Sequence, residues 1–308
     1  MIAYYKNANG VIPCNKWEPN GWMHVECPSE SEKNKLVEEF NVPIAFLNDI
    51  EDIDERPRVE LEDDWYLIII RIPFRSNDPK LPFLTAPLGI VFKDDLFISI
   101  CHVKQDMLND FSNYSIRKNR PYSNFFDLVY RLILSSSVWY LKYLKHINIQ
   151  IENAEAELEK SVKNKELQRL LEIEKCLVYF TTSIKGNDLL INRIKNLKLK
   201  KETVDEELIE DVEIELKQAQ ETTKIYSDIL SGMMDAYASV ISNNLNIVMK
   251  RLTSISIILM IPTLIASLYG MNVPNHLENN KFSFLFIVLA TIFISLISVY
   301  VFRKKRWF

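Results

Sequence analysis

Two long apolar runs close the chain. From Leu252 to Tyr269 eighteen consecutive residues carry no charge, and from Phe282 to Phe302 twenty-one carry none. About 20 residues of helix cross a hydrocarbon layer of roughly 30 Å, so both runs predict transmembrane helices, joined by the polar link 270–281. The earlier chain has a different texture. Alternating or continuous apolar segments at Trp65–Phe74 and between Leu88 and Ile100, broken by Pro, Asp and Asn, predict strands. After Tyr122 the apolar positions recur at spacings of three and four among Glu and Lys, which predicts helix, with Gly186-Asn187 as the one clear glycine interruption up to Leu197.

A further helix is predicted to start near Thr203. No proline falls between there and Ile261, and only Gly232 interrupts, so this helix can continue directly into the first span. Some sixty residues at ~1.5 Å each would form a rod on the order of 100 Å. The chain thus reads as an α+β membrane protein: an α/β domain over 1–121, a helical region over 122–201, and a stalk helix over 202–251 continuous with a first span over 252–269. The link 270–281, a second span over 282–302 and a basic tail over 303–308 complete it.

Charge sets the orientation. Lys250 and Arg251 precede the first span and Arg303, Lys304, Lys305 and Arg306 follow the second, whereas the link has Lys281 as its one base. The positive-inside bias places both termini in the cytoplasm and the link outside, as expected of a multi-pass protein of the cell membrane. Tyr269 and Trp307 stand at span ends, where amphipathic rings anchor at the interface. The N-terminus lacks a continuous apolar stretch of the secretory kind, which keeps the head inside. The net charge of −4 argues against a nucleic-acid partner. The scattered Cys14, Cys27, Cys101 and Cys176 form neither a disulfide framework nor a metal-ligand pattern.

One face of the first span is polar. Asn246, Met249, Thr253, Ser256, Met260, Thr263 and Ser267 recur at intervals of three or four, Leu252 borders them, and the stripe ends beside Gly270, Met271 and Asn272. Hydroxyls in lipid face protein or water, so the stripe predicts either close helix packing or a pore lining, and its continuation from one amide to another favours the lining. For Ser254, Thr291, Ser295 and Ser298 packing is the expectation. Neutral oxygens suit a cation that keeps its water, as Mg²⁺ does, and Met249 with Leu252 would form an apolar neck able to close by dewetting. Two helices enclose no path alone, so transport requires several copies around an axis. Pro262 can bend the span.

Eight acids lie between Glu202 and Glu215. Those in the first turn favour the helix dipole. The later ones are either a solvated face or a cytoplasmic cation-sensing surface shared between subunits.

The sequence Tyr269-Gly270-Met271-Asn272 at the outer end of the penultimate span, with a second span and the tail RKKRWF behind it, resembles the CorA family of magnesium channels. The likeness extends through NIVMKRLT at Asn246–Thr253 and SDILSGMMDAYAS at Ser227–Ser239, and more loosely through Leu47–Glu60. It implies a homopentameric funnel for passive, potential-driven uptake of Mg²⁺, with Co²⁺ as a further cargo. Gly270, Met271 and Asn272 would form the selectivity filter, Thr263 and Asn246 would offer oxygens to the hydrated ion, and Met249, Leu252 and Met260 would be narrow apolar points. Asp211 matches a stalk position that senses regulatory Mg²⁺, which would hold the channel closed. The link VPNHLENNK has Glu278 as its one acid beside His276 and Lys281, and Pro262 directly precedes Thr263; both depart from the family pattern.

Among competing functions, an ATP-driven pump lacks a P-loop, since no pair of the six glycines has the spacing and no GK[ST] follows, so no nucleotide partner is expected. A zinc carrier of the same superfamily would favour His and Cys, which the stripe lacks. A membrane-anchored scaffold would need no stripe. His24, His102 and His146 adjoin no nucleophile motif, so an enzyme is not expected.

Overall fold

A computed structural model describes residues 1–160, 164–196, 204–271 and 282–305. The chain divides into two units, Met1–Gly232 and Met233–Phe308. The first is built on a seven-stranded mixed sheet of β1 (Ile2–Ala8), β2 (Gly10–Cys14), β3 (Trp22–Glu26), β4 (Arg58–Glu62), β5 (Trp65–Arg75), β6 (Phe83–Lys93) and β7 (Leu96–Cys101). The spatial order is β2-β1-β3-β7-β6-β5-β4, and the β3–β7 pair alone is parallel.

The run WYLIIIRIPF lies within β5 and is continuous because both faces of the strand are covered. Leu67 and Ile69 join Met23, Val25, Val91 and Ile98 in a core with α1 (Glu30–Glu38) and α2 (Ile44–Glu51), while the intervening Ile68, Ile70 and Ile72 are equally buried. That second face adjoins α4 (Phe125–Lys160) and α5 (Asn164–Asn196), and α3 (Met107–Lys118) lies against β2. Helix α2 crosses β6 so closely that a Cβ on Gly89 would stand 2.2 Å from Ile50 Cγ1.

Gly186-Asn187 does not interrupt the helical pattern; α5 passes through it. A Cβ on Gly186 would meet Pro57 Cγ at 2.8 Å, so the glycine lets the helix approach. Asn187 then finishes the sheet. The β4 pairing with β5 reaches only Arg58↔Ile69, so no strand lies beside Arg71 on that edge. The Arg71 backbone groups therefore need another partner. Asn187 supplies it: Oδ1 accepts the Arg71 N–H at 2.9 Å and Nδ2 donates to the Arg71 carbonyl at 2.8 Å, and the amide is fully buried.

The last long helices are α6 (Glu206–Tyr269), unbroken over 64 residues with Pro262 inside it, and α7 (Ser283–Lys304). Both contain windows long and apolar enough to cross a membrane, and almost none of either window is buried, unlike the core helices of a soluble protein.

Candidate functional site

In the second unit, the candidate lining residues share one face of α6. At 3.6 residues per turn Asn246, Met249, Thr253, Ser256, Met260, Thr263 and Ser267 fall within an arc of about 100°, with Leu252 at its border. All are exposed except Ser256, which is half-buried. The hydroxyls are not idle in lipid. Ser256 Oγ donates to the Leu252 carbonyl at 2.9 Å and Thr263 Oγ1 to the Leu259 carbonyl at 3.0 Å. A hydroxyl whose proton is spent on its own helix presents lone pairs outward, which makes it an acceptor for a cation or for the hydrogens of a hydrated cation's water.

The opposite side of α6 meets α7. Pro262, Ala266 and Tyr269 line a groove of about 650 Å³ with Phe284, Ile287 and Thr291 of α7. Their centre lies about 140° around the helix from the centre of the polar stripe. The stripe is therefore not the face α6 uses against its own second span. Ser254, off the stripe, is fully buried and bonds the Lys250 carbonyl. Thr291, Ser295 and Ser298 bond carbonyls one turn back in α7. Pro262 leaves the Ile258 carbonyl without its usual donor, and Thr263 bonds Leu259 rather than Ile258. At the helix end the Gly270 N–H closes on the Ala266 carbonyl at 2.9 Å, and Met271 is exposed. Asn272 lies outside the described residues, as do His276, Glu278, Lys281 and Trp307.

The acidic start of α6 belongs to the first unit. Asp205 Oδ1 accepts the Glu207 N–H at 3.1 Å, a helix cap, and Glu213 pairs with Lys195 of α5 at 2.5 Å. Val212, Leu216 and Ala219 are buried while Asp211 is exposed. Among the described residues no three His, Cys, Asp or Glu side chains converge to hold a metal, at Asp211 or elsewhere. Asp211 also borders a cavity with Arg117, Arg120 and Arg131, which sequence reasoning missed. Arg117, Arg120 and Arg131 fall within fifteen residues of one another, but the α6 acids on the same cavity lie more than seventy residues later, and no local pattern relates the two.

Residues 18–304 match the family described as CorA-like Mg2+ transporter protein. The chain belongs to that family. CorA-family proteins are transporters, not enzymes. The chain is 28% identical to the cobalt/magnesium transport protein CorA of Methanocaldococcus jannaschii over 93% of its own length and 90% of the relative's. To that of Thermotoga maritima it is 26% identical over 98% of its length and 87% of the relative's. Its fold superposes on the complete structure of the CorA magnesium transporter from M. jannaschii with a TM-score of 0.86 at 25% identity, covering 100% of this chain and 99% of that one. The N-terminal α/β domain, long helix and two C-terminal apolar helices are thus the CorA architecture.

Proposed function

We propose that the protein carries Mg²⁺, and Co²⁺ with it, passively into the cell through a homo-oligomeric pore, a pentamer by family resemblance. The observation that carries this is the polar stripe of α6, turned away from α7 and exposed along most of its length. The relatives named as cobalt/magnesium transport proteins support the choice of cargo.

Copies arranged with their stripes toward a common axis would form a wall of outward lone pairs from Ser256 and Thr263. Neutral oxygens bind the water shell of Mg²⁺ without the trapping that carboxylates would cause. Asn272 and Gly270 would form the outer ring with Met271, Asn246 the inner amide ring, and Met249, Leu252 and Met260 the apolar constrictions. With both termini cytoplasmic, an inside-negative potential drives a divalent ion by ~4.6 kcal/mol per 100 mV, so no nucleotide hydrolysis is required. Gating would act through Asp211. A second copy would have to complete its ligand set, and the unbroken α6 links that position to the stripe. A zinc cargo is disfavoured because the stripe offers neither imidazole nor thiolate.

The test is uptake into proteoliposomes containing an ion-sensitive dye, under an inside-negative potential. Mg²⁺ entry that Asn272→Ala abolishes is expected. Entry of Zn²⁺ alone would make the protein a zinc carrier, and flux of neither ion would leave a scaffold.

A further inference from the structure

The groove between α6 and α7 in the second unit runs toward a layer of positive charge. One end of it is marked by Gly270 and Phe284, which line it together. Arg251 of α6 and Arg303 of α7 each lie nineteen residues from that end. At ~1.5 Å per residue both stand ~28 Å away, level with one another and at the opposite boundary of a hydrocarbon layer of roughly 30 Å. Their direction around each helix is also fixed. Arg251 is eighteen residues, about five full turns, from Tyr269 of the groove, and Arg303 is eleven residues, about three turns, beyond Ile292. Each arginine therefore continues the line of the groove wall, whereas Lys250 and Lys304 sit about 100° around their helices from the arginines beside them. All four bases are exposed, and the one acidic side chain between Asp235 and Lys305 is Glu278 in the link.

Bases at one end of a span orient it in the membrane, and any exposed position there serves that purpose. Orientation does not require two arginines on the line of an apolar groove. That juxtaposition matches an amphiphile with an anionic head and a hydrocarbon chain. We propose that an anionic glycerophospholipid seats here, its phosphodiester on Arg251 and Arg303 and one acyl chain along Val299 and Leu296 into the groove. Guanidinium forks match phosphate oxygens in pairs. Basic pockets between membrane helices favour anionic headgroups, and a layer with no acid in it repels the cationic head of a choline lipid. Val299 is about one turn from Arg303, so head and chain follow one another without a gap. Filling the groove restores the dispersion contacts that a void between two helices forfeits. The lipid would hold α7 to α6 at the end where α6 leaves the apolar layer, whichever ion the protein carries.

The test is native mass spectrometry of the full-length protein in an uncharged detergent, a readout independent of transport. Phosphatidylglycerol, phosphatidylcholine and soluble glycerol 3-phosphate are added separately. Saturable binding of phosphatidylglycerol is expected, about tenfold or more tighter than that of phosphatidylcholine, with glycerol 3-phosphate weaker than either. Arg251→Gln/Arg303→Gln should weaken phosphatidylglycerol binding about tenfold. Lys250→Gln/Lys304→Gln removes the same charge off the groove line and should change it less than about threefold. Val299→Trp fills the groove beside Arg303 and should weaken both lipids, and an unchanged oligomer mass checks that each variant folds. Equal affinity for the two lipids would overturn the proposal, and so would equal losses in the two double variants, which would leave diffuse surface charge only. Glycerol 3-phosphate binding as tightly as the lipid would reduce the site to a free-anion site. A Val299→Trp variant that loses its oligomer while keeping phosphatidylglycerol would give the groove to a neighbouring copy instead.

Discussion

Replacing Asn187 by Ala would remove the group that finishes the sheet edge at Arg71. The Arg71 carbonyl would keep the Tyr140 hydroxyl at 3.0 Å, so its loss is modest, on the order of 1 kcal/mol. The Arg71 N–H has Asn187 Oδ1 as its acceptor at 2.9 Å, in a place closed to water, and a buried donor left unmade costs about 1–3 kcal/mol. Together the substitution should destabilise the first unit by about 3 kcal/mol, or roughly 6–12 °C in its thermal midpoint for a unit of this size. Differential scanning calorimetry of the detergent-solubilised protein reads this shift. Asn192→Ala is the control: its amide bonds the Asp188 carbonyl on the same helix from an exposed position, and a change under about 0.5 kcal/mol is expected. A shift of less than 2 °C for Asn187→Ala, or equal shifts for the two variants, would refute the idea that a side-chain amide stands in for a missing strand.

Gly89→Ala should destabilise the same unit by about 1–3 kcal/mol, because Ile50 must move off the new methyl, and the same calorimetry detects it. Burial pushes the pKa of His24 down to about 4, so the folded state holds the ring neutral while the unfolded chain titrates near 6.5. This contribution is therefore complete above pH 6.5 and is lost as pH falls toward 4, by roughly 1.5 kcal/mol between pH 6.5 and 5. Denaturant titrations across that range should show the loss in the wild type and a shallower slope in His24→Gln. Thr263→Val should lower Mg²⁺ uptake by about tenfold through loss of one oxygen per copy while Thr263→Ser retains most of it, and equal uptake by all three would remove Thr263 from the lining.

Much of this architecture was legible because membrane and sheet impose strong periods. The charge-free runs at 252–269 and 282–302 fall in α6 and α7, and the isoleucine run falls in β5. Gly186 misled because glycine lowers helix propensity, yet packing against Pro57 decides its place. Ser254 and Thr263 are both small hydroxyls in one span, and the stepping of the helix separated them, one fully buried and one exposed. The cavity beside Asp211 was illegible because Arg117, Arg120 and Arg131 lie more than seventy residues before it, and nothing local relates them to Asp211.

The division of labour around α6 follows from the same stepping. A helix that turns Pro262, Ala266 and Tyr269 toward an apolar groove shared with α7 has given that side to apolar surroundings. The side that remains carries Asn246, Thr253, Ser256, Thr263 and Ser267, and exposing such groups to hydrocarbon is costly. The hydroxyls that bond back to Leu252 and Leu259 reduce that cost but still leave oxygen lone pairs outward. An isolated chain in a bilayer would therefore be unsatisfied on this face, and the remedy consistent with the sequence is other copies and water on the same side. On the proposed pore lining, assembly and conduction would be two consequences of one stripe: a substitution that makes it uniformly apolar should weaken the oligomer and the flux together.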